Sequence, residues 1–333
     1  MAAEQPGVHL AWRGLTYDVA VGKDAPGAGL NGAPAGHKRI LHGLTGEAVP
    51  GSVLAVMGPS GSGKSTLIAA LGGRLAGSVG GEVILNGARS ANAVPPELVH
   101  LVGYVAQEDY LFGVLTVRET LNFSLMLRMS HLTTKERDEV VGRAIREFDL
   151  EECADTVIGK PLQPGGVSGG ERRRVSIAAE VQHDPSLVLL DEPTSGLDAA
   201  TALVVVQLLR ERANRSDRPA AVVLSIHQPR ATIPPLLDNV LLLAAGRDMY
   251  FGPTWTLDAS GAPSQVRHAV TPLESTYFRC LGSLAHISGV LSRTSCGVDS
   301  PELNMHPLHC HLRNTDTLRV KHRYHAIRAI RNA

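Results

Sequence analysis

Gly58, Gly63, Lys64 and Ser65, within the stretch "GPSGSGKST" from Gly58 to Thr66, satisfy the spacing G-x-x-x-x-G-K-[ST]. Glycines at these positions let the backbone curl until successive N–H groups point into one anion-sized hollow. A helix starting at Lys64 would add the positive end of its dipole. Lys64 would then reach the β- and γ-phosphate oxygens, and the Ser65 hydroxyl would ligate Mg²⁺. Average residue usage makes an accidental match in a chain this long a roughly one-in-a-hundred event. The apolar run before the turn and the helical pattern after it reduce that further.

Two more stretches add chemistry. "LVLLDEP" ends an apolar strand on Asp191, a carboxylate for Mg²⁺, and Glu192 beside it can polarise an attacking water. Phosphoryl transfer needs little covalent help, so positioning and charge neutralisation account for most of the rate. Alone, an Asp-Glu pair after a strand is weak, because acidic residues often end strands; beside the glycine turn it becomes strong. "VSGGERRRVSIAAE", Val167 to Glu180, places Ser168, Gly169 and Gly170 at the opening of a helix, a second N-terminus able to grip an anion. The basic run Arg172–Arg174 reads as a solvated face. Ser168 stands one helix ahead of the carboxylate strand.

The elements that must position these residues follow from periodicity. "VHLAWRGLTYDVAV" alternates and predicts one or two strands; "GKDAPGAGLNGAPAG" predicts a solvated hairpin loop over about 22–37. Two strands meeting at Pro50-Gly51 lead into the glycine turn, a helix runs from Lys64 to about Leu75, and "GEVILNG" is a further strand. Thr116 to Leu150 has helical spacing with charged faces and forms a helix-rich insertion, bounded at about 110–180. "SLVLLDEP", "AAVVLSIHQP" and "NVLLLAAG" are short apolar runs separated by helical stretches, as in a parallel sheet buried on both faces. The fold class expected is α/β.

Composition bounds the rest. Hydrophobic residues make up 44% and charged ones 19%, an ordinary globular balance. Lys and Arg (32) equal Asp and Glu (32), so no global field favours nucleic acid or an anionic membrane. The N-terminus has no charged lead followed by an apolar core, and no run reaches the roughly 18 apolar residues of a membrane span. Four cysteines without regular spacing predict a reduced, cytosolic chain.

Taken in order, "GPSGSGKST", "VSGGE", "LLDEP", "SGLD" and "SIHQP" resemble the nucleotide-binding domain of an ABC transporter. "ILHGLTGEAVPGSVLAVMGPSGSGKSTLIAALGGRLA", "ADTVIG" and "DEPTSGLD" narrow the resemblance to the G (White-type) subfamily of half transporters, over about residues 8–253. It implies a P-loop ATPase core, mostly parallel sheet flanked by helices, with an antiparallel β subdomain and an inserted α-helical subdomain. It implies ATP and Mg²⁺ as ligands. ATP would contact Gly58, Pro59, Ser60, Gly61, Ser62, Gly63, Lys64, Ser65 and Thr66 from one chain. Ser168, Gly169, Gly170 and Asp198 would meet the same nucleotide across a head-to-tail dimer seam. Gln107 in "YVAQED" matches a glutamine that touches Mg²⁺ and the lytic water, so the metal set is Ser65, Gln107 and Asp191. Glu192, Gln107 and His227, the last matching a switch histidine on the γ-phosphate, form the catalytic set. At the adenine position the sequence offers Val19, with Tyr17 two residues earlier, which implies apolar contact, weak base discrimination and competition by GTP.

The family implies a homo- or heterodimer with another G-type half transporter, a membrane-spanning permease, and a place on the cytoplasmic face of a membrane. No nucleic acid is expected. Beyond about Pro253 the texture changes: seven of the 14 histidines and three of the four cysteines fall there. "YFRCLG" faintly resembles the linker that precedes the family's membrane domain, and the remainder matches nothing recognisable. His306, His309, Cys310 and His311 fit no standard structural metal spacing, and the basic end, Arg313 to Arg331, reads as a solvated tail. The expectation is a motor without its permease, through truncation, alternative splicing or a read-through gene model. The alternatives are a regulatory fragment that pairs with half transporters without transport, and a soluble ABC ATPase of translation or DNA repair. The latter usually carries two cassettes or a long coiled-coil insertion, and neither pattern is present.

Overall fold

A computed structural model describes residues 7–21, 29–30, 32–76, 79–90, 96–159, 165–227, 229 and 232–254. The chain divides into two units, Met1–Thr254 and Trp255–Ala333. The expected linker "YFRCLG", the histidine–cysteine cluster and the basic end all lie outside the described residues, as do residues 22–28 and 31 of the expected loop over 22–37.

The first unit holds two sheets. In the larger one the order is β10 (Arg247–Pro253), β9 (Asn239–Ala244), β3 (Val53–Met57), β8 (Ala221–Ile226), β7 (Leu187–Leu190) and β6 (Val102–Val105). All neighbours are parallel except β10, which returns antiparallel beside β9. The smaller sheet is antiparallel, in the order β2 (His37–Ala48), β1 (Leu10–Ala20), β4 (Val79–Leu85) and β5 (Ala88–Ser90). The N-terminal alternation resolves as one strand, β1, whose register slips between Arg13 and Thr16.

The apolar runs of the parallel strands are buried throughout in β7 and β8. Alternate side chains serve opposite faces, as a period of two requires. Val53, Ala55, Val188, Leu190, Val222 and Leu224 join one core with the helices of that face. Leu54, Val56, Leu187, Leu189, Ala221 and Val223 join another with α1 (Lys64–Leu71) and the antiparallel sheet. Each such Leu or Val contributes roughly 1.5–3 kcal/mol on burial, so both faces of the sheet are anchored.

Helix α1 stops four residues short of the expected Leu75. Gly73 takes a left-handed conformation, φ 64, and the amides of Gly73 and Arg74 turn back to the carbonyls of Ala70 and Ala69. That is a Schellman closure, which glycine permits at no steric cost. Between β6 and β7 lie α2 (Val117–Arg128), α3 (Thr134–Glu147) and α4 (Gly169–Val181). All three start with the same capping box: Thr116 with Glu119, Thr133 with Glu136, Ser168 with Glu171. α5 (Ala199–Ala213) follows β7, with Asp198 as its N-cap. No helix among the described residues is long and apolar enough to cross a membrane.

Candidate functional site

Strand order places the chemistry. β3, β8, β7 and β6 lie side by side and parallel, with Leu54, Val223, Leu189 and Tyr104 in one register row. Their C-terminal ends therefore deliver the glycine turn, His227, Asp191–Glu192 and Gln107 to one edge, where ligands of open α/β sheets bind.

The turn is built to approach an anion closely. A Cβ on Gly58 would stand 2.2 Å from the Leu243 carbonyl oxygen, so only glycine lets the chain pass there. Gly63 caps α1 with φ 99 and no side-chain hydrogen bond, and no acidic residue stands in the first turn. The amides of Gly63, Lys64, Ser65 and Thr66 have no partner among the described residues. Lys64 is 5% exposed, and its ammonium donates to the carbonyls of Gly58 (3.0 Å) and Pro59 (3.1 Å). Burial pushes its pKa down, and the Glu192 and Asp191 carboxylates oppose that shift. The Ser62 hydroxyl is buried without a partner among the described residues. Uncapped amides, a desolvated cation and an orphan hydroxyl together suit a polyphosphate.

Ser65 Oγ donates to Asp191 Oδ1 at 3.0 Å, and Ser225 Oγ donates to the same oxygen at 2.7 Å. Ser225 also accepts from the Glu192 amide at 2.8 Å. Glu192 holds φ 44, a conformation non-glycine residues rarely adopt and one that concentrates at functional sites. Gln107 Nε2 donates to Glu192 Oε2 at 3.2 Å. Glu192 and His227 line one cavity of about 210 Å³ with Thr194, Ser195 and Ile226. The fold thus gathers Ser65, Asp191, Gln107, Glu192 and His227 at one place.

Ser168, Gly169, Gly170 and Asp198 are elsewhere on the same chain's helices. Ser168 Oγ accepts from the Glu171 amide (3.2 Å), while Glu171 Oε2 accepts from the Ser168 amide (2.7 Å). Asp198 Oδ1 accepts from the Ala200 and Thr201 amides at 2.9 and 3.1 Å. Among the described residues no hydrogen bond joins these four to the Gly58–Thr66 turn. At the adenine position Val19 is 36% exposed; Tyr17 packs against the core beside α1, and its hydroxyl donates to the Ala76 carbonyl at 3.0 Å.

One expectation is overturned. The basic run is not a solvated face: Arg172 is 9% exposed and Arg173 3%. Arg172 donates to the carbonyls of Ile158 (2.7 Å) and Gly159 (3.0 Å), and Arg174 to that of Asp149 (3.0 Å). Helical phase carried the signal, since Arg173, Ile177 and Val181 recur at intervals of four, and Ile177 and Val181 are core residues. Ser225 was also missed. Its signal was a single hydroxyl inside the otherwise apolar β8.

Residues 41–195 match the family described as ABC transporter. The chain is 40% identical to ABC transporter G family member 13 of Arabidopsis thaliana over 319 residues, 93% of this chain and 43% of that protein. It is 46% identical to member 14 of the same plant over 216 residues, 65% of this chain and 32% of that protein. The chain carries an ABC transporter family domain. Its G-family relatives include proteins more than twice its length, and this chain spans less than half of each of the two. The alignment with member 13 is long enough to enter the residues beyond 254, so the tail is not wholly without relatives. Among solved structures, the ATP-binding cassette MJ0796, in a dimeric post-hydrolysis state bound to ADP and Pi, superimposes with a TM-score of 0.59 at 24% identity. The match covers 73% of this chain and 98% of that one. This likeness establishes an ABC ATPase fold.

Proposed function

We propose that this chain supplies the ATP-binding and ATP-hydrolysing part of a G-type ABC transporter and powers transport through a membrane-spanning permease domain. The observation that carries the reading is the joint placement of the Ser65–Asp191 and Gln107–Glu192 contacts at one strand edge, beside an uncapped glycine turn. Residues 8–253 act as the ATP-binding domain, with the helical insertion over about 110–180. The amides of Gly58–Thr66 and the Lys64 ammonium hold the triphosphate. Glu192 accepts a proton from the attacking water, Gln107 orients that water, and His227 meets the γ-phosphate. Ser65, Asp191 and Gln107 offer hard oxygen donors that fit Mg²⁺, which when bound neutralises phosphate charge.

Ser168, Gly169, Gly170 and Asp198 complete the site of a second copy, or of another G-type half transporter, arranged head to tail. Two observations support this. The four residues make no hydrogen bond to their own glycine turn, and the MJ0796 cassette is a dimer. The permease would rest on the apolar ridge that follows Gln107, where Tyr110, Phe112 and Val114 are 81%, 61% and 85% exposed. Such a motor works at the cytoplasmic face of its membrane.

Replacing Glu192 with Gln tests the reading by removing the base while keeping shape. With ATP and Mg²⁺, turnover should fall by roughly a hundredfold or more, and size-exclusion chromatography should show an ATP-dependent dimer. Unchanged turnover, or a monomer at every accessible concentration, would refute it.

A further inference from the structure

Arg173 sits where three parts of the site meet. It is 3% exposed, on the first turns of α4, and one planar guanidinium addresses five acceptors. Nη1 donates to the carbonyls of Ala106 (2.9 Å) and Gln107 (3.3 Å) and to Asp109 Oδ1 (2.6 Å). Nη2 donates to the Asp191 carbonyl at 3.0 Å, and Nε to the Pro193 carbonyl at 3.2 Å. One edge of the plane therefore grips the segment leaving β6, and the other grips the residues on either side of Glu192.

Glu192 has little freedom left. The carbonyls before and after it are held by Arg173, its own amide is held by Ser225, and its φ is 44. Across the guanidinium, the Gln107 backbone is held and its side chain meets Glu192 at 3.2 Å. The Arg173–Asp109 pair is nearly buried, with side chains 4% and 16% exposed. Taking such a pair out of water costs most of its attraction, so a net stabilising role does not account for it. A rigid fork that fixes two loops at a set separation does.

We propose that Arg173 is a positioning residue for hydrolysis: it sets the separation of Gln107 and Glu192, and ties that separation to helix α4, whose first residues are Ser168–Gly170's own segment. The proposal rests on the reading of Glu192 as the residue that activates water. It predicts an effect on turnover, not on nucleotide affinity.

The test is ATP hydrolysis by the purified full chain carrying Arg173→Lys, alone and combined with Gln107→Ala. Lysine keeps the charge but offers three donors from one point, so it cannot span both loops. Arg173→Lys should lower kcat about tenfold, as a small misplacement of reacting groups does, with KM for ATP within about twofold. In the Gln107→Ala background the same change should lower kcat by less than about twofold, because neighbours acting as one unit are not additive. Equal losses in both backgrounds, or a raised KM with unchanged kcat, would overturn the proposal.

Should Arg173→Lys fail to fold, Asp109→Asn loosens one edge of the clamp and leaves Arg173 in place. It should cost about threefold in kcat, again only when Gln107 is present. Glu192→Gln in the same assay separates the two ideas. Retained hydrolysis there removes the water-activating role and the Arg173 proposal with it. Lost hydrolysis with an additive cycle removes the Arg173 proposal alone.

Discussion

Two helix N-termini in this molecule carry the proposed nucleotide contacts, and they are built in opposite ways. α1 starts at a left-handed glycine with no side-chain cap, no acid in its first turn, and four successive amides without partners among the described residues. α4 starts at Ser168, and Glu171 closes a capping box on it, while the Gly169 and Gly170 amides have no partner among the described residues. An uncapped N-terminus is an unsatisfied state that a phosphate can complete. A capped one is stable by itself and presents a smaller, already polarised surface. The difference fits the proposed division of work, in which α1 grips nucleotide within one chain and α4 is added from another. In that reading the ligand completes α1, and α4 meets it already closed by its own side chains.

The strongest way to break this contrast is at Lys64. It is the buried cation of the open terminus, donating to the Gly58 and Pro59 carbonyls of the turn itself. Lys64→Ala should weaken ATP binding by about a hundredfold or more, since a desolvated charge-assisted contact is lost. Calorimetric titration of ATP reads this directly. Binding within about threefold of the wild type would mean that the open amides alone suffice, and the contrast between the termini would lose its electrostatic half.

The sequence makes α1 legible and α4 only half legible, for physical reasons. A glycine turn between an apolar strand and a helix has few other uses, so Gly58–Thr66, Asp191 and Glu192 could be read as one site. The order β9-β3-β8-β7-β6, which makes neighbours of residues 58, 227, 192 and 107, is a long-range property. Before the structure, only the resemblance brought Gln107 and His227 to the same site. Arg172 and Arg173 look solvated as letters because charge usually seeks water. Their burial is decided by helical phase against Ile177 and Val181 and by carbonyl acceptors arriving from distant segments. Ser225 is hidden for the converse reason: in an apolar strand one hydroxyl looks incidental until a carboxylate of the next strand lies 2.7 Å away.

A sharper, smaller effect separates the two jobs of Ser168. Its capping box is repeated at Thr116 and Thr133, on helices that carry no proposed nucleotide contact. Ser168→Ala, Thr116→Ala and Thr133→Ala should each lower stability by about 1 kcal/mol, the usual worth of an N-cap. Chemical denaturation of the nucleotide-free chain measures that. Only Ser168→Ala should also reduce ATP-dependent pairing in the Glu192→Gln background. If all three reduce pairing alike, α4 is merely a stable helix and its terminus has no special place at the seam.

The smallest effect is one of pH, and it concerns the acid that α4 has and α1 lacks. The Ser168 amide, donating to Glu171, holds that carboxyl below its ordinary value of 4.5, with burial acting in the opposite direction. Glu136, held in the same way by Thr133, is lowered too. A carboxylate with a depressed folded-state value adds stability above its unfolded value, and that contribution is lost as pH falls through the folded one. The nucleotide-free chain should therefore lose part of its stability below about pH 4.5. Glu171→Gln should be less stable near neutrality and show a shallower acid limb, and Glu136→Gln should do the same. Thermal melts from pH 6 downward check this. An acid limb unchanged by Glu171→Gln would mean that the carboxylate does not close the α4 terminus in solution. The two N-termini would then differ in sequence but not in how much of each is left open to an anion.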